Sequence, residues 1–124
     1  METAVKILIV EDEMIIAANI SLQLSSLGYE VTGIVPRGEE ALVHVVEDAP
    51  DIVLLDIHLK GVWDGIETAR RIHEISDIAV VYLTANSDDT MGIPNKIASS
   101  LNARGNVLKY LLLKKGGSRK MFFL

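Results

Sequence analysis

The residues of this chain whose type and spacing could do chemistry are the acids that close apolar runs. Ile9-Val10 runs into Glu11 and Asp12, and Val53-Leu54-Leu55 runs into Asp56, 44 residues after Asp12. A third apolar run closes in Leu83-Thr84. A carboxylate at the edge of a core is costly unless something pairs with it. Several brought to one place repel and raise one another's pKa unless a cation sits among them. Oxygen donors without a His or Cys cluster favour a hard divalent ion, and a site with few protein ligands and room for water suits Mg²⁺ better than Ca²⁺.

The elements that must position these side chains follow from the apolar pattern. Continuous apolar runs at 5–10, 30–35, 51–56 and 78–84 alternate with segments of helical period, the signature of βα units around a parallel sheet. Ile16, Ile20, Leu24 and Leu27 recur at steps of three and four before Gly28, which predicts a helix and its stop. A second helix is predicted from Gly38 to about Asp48 with Leu42, Val45 and Val46 inward, and a third from Gly65 to Ile75. Beyond Asn86 the expected elements are a helix within Asp88–Leu101, limited by Gly92 and Pro94, a short fifth strand at Val107-Leu108, and a last helix interrupted at Gly116-Gly117. The fold class is thus α/β, a doubly wound parallel sheet flanked by helices. Its binding crevice lies at the C-terminal strand ends, where Glu11, Asp12, Asp56 and Thr84 converge.

Composition narrows the function classes. A chain of 124 residues suits one domain over 1–124, and 49% hydrophobic residues exclude disorder as a description of the whole. With no cysteine, neither a disulfide framework nor a thiolate metal site is available. The apolar run after Met1 is too short for a signal peptide or a membrane span, so a cytoplasmic domain is expected. All 17 acids lie in residues 1–90 with five bases, whereas residues 91–124 carry seven bases and no acid. Three explanations compete for the break: divergence of that segment, a basic segment that contacts a partner or nucleic acid, or translation out of the ancestral reading frame after about Thr90, the first and last being favoured equally. Nucleic-acid binding is disfavoured, because the bases come without a recognition-helix pattern or stacking aromatics.

VEDE at 10–13, LLDIHLKG at 54–61, Asp64-Gly65 and LTA at 83–85 together resemble the receiver domain of two-component response regulators. The resemblance implies a flavodoxin-like five-stranded sheet of order 2-1-3-4-5. It also implies a phosphorelay in which a histidine kinase or histidine phosphotransfer protein donates a phosphoryl group to Asp56. Carried over residue by residue, Asp12 and Asp56 bind Mg²⁺, Glu11 holds a metal-bound water, the backbone carbonyl of His58 is a further ligand, and Thr84 bonds a phosphoryl oxygen. The downstream partner would be an effector domain or protein, and a homodimer is a further expectation. The family's lysine at the end of the fifth strand is matched best by Lys109 in GNVLKY, 25 residues past Thr84, with Lys114 as a fallback. Tyr110 stands where proline is usual and Asn106 where an aromatic is usual.

Physical chemistry supports the same assignment: phosphoryl transfer to a carboxylate needs charge neutralisation and positioning more than a base. Taken singly, Glu11 or Asp12 also reads as a helix N-terminal acid, Asp56 as a turn residue and Thr84 as a β-branched strand residue. Two other functions use similar parts: a pseudo-receiver that only docks partners, and a Mg²⁺-dependent aspartyl phosphohydrolase of the haloacid dehalogenase type. The latter requires an aspartate where this chain has His58. The rings of His44, His58 and His73 are expected to be solvated, and Trp63 to pack on the surface.

Overall fold

In the computed structural model the described residues are 4–83 and a strand at 121–123. Strands β1 (Lys6–Val10), β2 (Glu30–Val35), β3 (Ile52–Asp56) and β4 (Ala79–Leu83) alternate with helices α1 (Met14–Ser26), α2 (Gly38–Asp48) and α3 (Gly65–Ile75), and β5 (Met121–Phe123) completes the sheet. All pairings are parallel, in the order β2-β1-β3-β4-β5. The α/β doubly wound architecture and strand order are those expected.

Alternate strand residues feed two cores, one on each face of the sheet, because successive side chains of a strand point to opposite faces. Ile7, Ile9, Ile52, Leu54, Val81 and Leu83 pack with Ala17, Ile20 and Leu24 of α1. Leu8, Val10, Val53, Leu55, Val80 and Tyr82 pack with Ala41 and Val45 of α2 and Ala69 and Ile72 of α3. Ile52 through Leu55 are each 0% exposed, so the strand that carries Asp56 is clamped from both faces. Each such side chain contributes about 1.5–3 kcal/mol by leaving water.

Three expectations need correction. Val46 is 70% exposed while Val45 is buried, because one residue step rotates the side chain by about 100° and off the buried stripe. His44 is paired: its Nδ1 lies 2.7 Å from Asp48 Oδ2, one helical turn on. His73 is buried at 7% exposure, its Nε2 3.1 Å from the carbonyl oxygen of Ile78, so its ring caps the entry to β4 instead of meeting solvent. The fifth strand also differs from expectation. The outer edge of β4 is held by Met121–Phe123, with Val80, Val81 and Tyr82 opposite Met121, Phe122 and Phe123. The expected strand at Val107-Leu108 and the expected helix within 88–101 lie outside the described residues. Among the described residues no helix is long and apolar enough to cross a membrane.

Candidate functional site

Glu11 follows β1 directly, and its N–H continues the sheet by donating to the carbonyl of Val35 (3.0 Å). Its side chain is only 4% exposed, and its Oε1 accepts a hydrogen bond from the backbone N–H of Glu13 (2.9 Å). Asp12, one residue on, is half-buried. Asp56 ends β3, and the next N–H, that of Ile57, donates to the carbonyl of Leu83 (3.1 Å), tying the end of β3 to the end of β4. Asp56 Oδ1 accepts from the backbone N–H of His58 (2.9 Å), while its own carbonyl accepts from Leu59 (3.2 Å). These bonds turn the chain sharply after the acid and fix the orientation of the carboxylate.

Glu11, Asp12 and Asp56 each offer an oxygen, all within 4.8 Å of one another. They face a pocket of about 150 Å³ lined also by Glu13, Ile16, His58, Lys60 and Leu83. Burial pushes the Glu11 carboxyl up to about 7, reinforced by the charges of Asp56 and Asp12 and opposed by the Glu13 hydrogen bond. Burial likewise raises Asp56, opposed by the N–H of His58. The Glu11 and Asp56 carboxyl groups lie close together, so a proton held on Glu11 does part of the work a cation would do. Crowded, partly desolvated carboxylates with no nitrogen or sulfur donor fit a small hard divalent ion such as Mg²⁺.

The loop after Asp56 is held by α3. Asp64 caps the helix, its Oδ1 accepting from the N–H of Glu67 (2.8 Å), and the N–H of Gly65 donates to the carbonyl of Ile57 (3.2 Å). A Cβ at Gly65 would lie 2.6 Å from Ile57 Cα and 2.8 Å from its carbonyl oxygen, and closer still to the Asp56 carbonyl. Only glycine lets the helix start rest directly on the backbone of the acidic strand end. Trp63 is half-buried with the Arg71 guanidinium 4.9 Å from its ring centroid, a cation–π contact between this loop and α3.

A second cavity, of about 270 Å³, adjoins the first and shares Asp12 and Lys60 with it; Pro36, Arg37 and Gly61 complete its lining. Gly61 has φ +115°, a left-handed conformation, and Arg37 Nη1 stands 3.9 Å from where its Cβ would be. The charge of Lys60 was readable in LLDIHLKG; that Arg37 reaches it from the other loop was not, since no local pattern couples residues so far apart. Of the expected site residues, Glu11, Asp12 and Asp56 are brought together and His58 sits beside them with its ring exposed. Thr84, Lys109 and Lys114 lie outside the described residues.

Comparison with known proteins decides the family. The family model of the response regulator receiver domain matches residues 7–112. The chain belongs to that family. Receivers are signalling modules and not enzymes in the ordinary sense, so this chain is a signal-transduction domain of the two-component type. It is 35% identical over 83 residues to the transcriptional regulatory protein AfsQ1 of Streptomyces coelicolor, covering 67% of this chain and 36% of that one. It is 39% identical over 93 residues to the transcriptional regulatory protein YrkP of Bacillus subtilis, covering 73% and 39%. This receiver chain therefore spans little more than a third of the length of these relatives. Among solved structures, it is similar to the signal receiver domain of a modulated diguanylate cyclase from Desulfovibrio desulfuricans (TM-score 0.64, 37% identity, 81% of this chain and 77% of that one). It is also similar to the N-terminal domain of a response regulator/sensory box/GGDEF protein from Carboxydothermus hydrogenoformans (TM-score 0.60, 41% identity, 68% of each chain).

Proposed function

We propose that this receiver is a phosphorelay acceptor whose Asp56 carboxylate takes a phosphoryl group from a histidine kinase or histidine phosphotransfer protein. The observation that carries the reading is the gathering of Glu11, Asp12 and Asp56 oxygens within 4.8 Å at the C-terminal ends of β1 and β3. Asp12 and Asp56 would hold Mg²⁺ directly, with the His58 carbonyl as a further ligand and Glu11 on a metal-bound water. When bound, Mg²⁺ supplies the positive charge that lets a carboxylate meet an anionic phosphoryl group. The chain's own contribution is positioning. The buried β3 strand holds Asp56 in place, and the His58 N–H orients its carboxylate toward the pocket. An Asp56 oxygen forms the new P–O bond as the bond from phosphorus to the donor nitrogen breaks.

In this reading Thr84 bonds a phosphoryl oxygen and Lys109, with Lys114 as a fallback, balances its charge. The added charge, about −1.5 to −2, then shifts the surface that an effector domain or protein reads. The single domain spans 1–124 and acts in the cytoplasm, and a homodimer is an available output. The test is incubation with Mg²⁺ and phosphoramidate. Stoichiometric labelling that is acid-stable and base-labile, and that is lost in Asp56→Asn, is the expected result. Sustained turnover of phosphate esters would indicate a hydrolase and no labelling a docking module; either refutes the proposal.

A further inference from the structure

The cavity beside the acidic pocket has the opposite chemistry to it. Two cations, Arg37 and Lys60, face one acid, Asp12, around a space of about 270 Å³. Both are exposed, and among the described residues neither makes an ion pair with an acid. They come from different loops at the same sheet edge. Arg37 follows β2 and precedes α2, and Lys60 follows β3. Gly61 takes a left-handed turn there, and Arg37 Nη1 stands 3.9 Å from where its Cβ would be. Because Lys60 and Asp12 line both cavities, a small molecule with its phosphoryl group at Asp56 can extend its other end toward Arg37.

We propose that Arg37 and Lys60 form an anion subsite that receives the carboxylate leaving group of a small acyl phosphate as it phosphorylates Asp56. The inference rests on the reading of Asp56 as acceptor. The step balances without a base: ionised Asp56 forms the new P–O bond, the P–O bond to the acyl group breaks, and the acyl oxygen leaves with the electron pair as a carboxylate. Charge therefore develops on the leaving oxygen and needs a cation there. A guanidinium matches a carboxylate through two parallel hydrogen bonds, and an ammonium adds a point charge beside it. A donor whose leaving group departs neutral has no use for the subsite.

That difference is the test. The full chain with Mg²⁺ is labelled by acetyl phosphate, which releases acetate, and by phosphoramidate, which releases neutral ammonia. The double variant Arg37→Gln/Lys60→Gln should lower the acetyl phosphate rate constant about tenfold, from about threefold for each exposed charge. Arg37→Gln alone, at the cation that lines only the second cavity, should lower the acetyl phosphate rate constant about threefold and leave the phosphoramidate rate within about twofold. The swap Arg37→Lys/Lys60→Arg keeps both charges and should retain most of the acetyl phosphate rate. Equal losses with both donors, which general attraction of anions would give, overturn the subsite, as does no loss with either. An unsubstituted protein that takes no label from either donor overturns the acceptor reading itself.

Discussion

Replacing Glu11 by glutamine should make the metal-free protein more stable at pH 8 and leave it unchanged at pH 4. Glu11 is buried against Asp56 and Asp12, and its carboxyl is raised from 4.5 to about 7. A raised acid means that the folded chain binds more protons than the unfolded one between these two values. The Glu11 contribution to stability is then greatest below pH 4.5, falls as pH rises through the window to about 7, and is level above it. The shift corresponds to about 3 kcal/mol at about 1.4 kcal/mol per unit. Water in the adjoining pocket reduces the expected gain to about 2 kcal/mol. Glutamine can still accept the Glu13 N–H through its side-chain oxygen, so that bond does not confound the comparison. Urea denaturation in EDTA at pH 4 and pH 8 measures the difference. Added Mg²⁺ should stabilise the unsubstituted protein more at pH 8 than at pH 5, because a cation relieves the same repulsion. A Glu11→Gln protein that is less stable at pH 8, or whose stability change is the same at both pH values, would refute the reasoning.

Gly65→Ala forces a methyl group into the backbone of Asp56 and Ile57 and should cost about 2–3 kcal/mol by thermal denaturation, with slower Asp56 labelling as the strand end shifts. Asp64→Ala removes the cap of α3 and should cost about 1 kcal/mol, read in the same assay. Ala49 closes α2 with φ +47°, a conformation that favours glycine, so Ala49→Gly should stabilise by about 0.5–1 kcal/mol in urea. Glu67, bonded to Arg70 and Arg71, is lowered to about 2; its contribution is present above pH 4.5 and lost as pH falls toward 2, opposite in sign to Glu11.

Much of this was legible in the chain because local patterns determine it. The bounds of β2, α2 and α3 coincide with those expected, since each is delimited by a residue with a backbone preference or by a switch of period. The acidic cluster was legible for a related reason: in a parallel sheet every strand delivers its last residue to one edge. What was not legible depends on distant partners. Nothing near His73 in the pattern signals that the Ile78 carbonyl waits above it. The strand beside β4 was expected at Val107-Leu108, whereas MFF at 121–123 pairs with it from a stretch expected to belong to a last helix interrupted at Gly116-Gly117. The cationic cavity depends on two loops that meet only after folding.

Trp63 is the chain's single tryptophan, and the Arg71 guanidinium lies on its ring. Excited beyond the absorption of the three tyrosines, it emits as one fluorophore, seven residues from Asp56 and tied to the first turns of α3. With no cysteine to react, a second dye can be placed at will by one engineered thiol, for example at the exposed Val62. The domain thus carries its own optical probe at the loop that leaves the acid, and a movement of that loop on adding Mg²⁺ or a phosphodonor should be read from it in real time without a radioactive label.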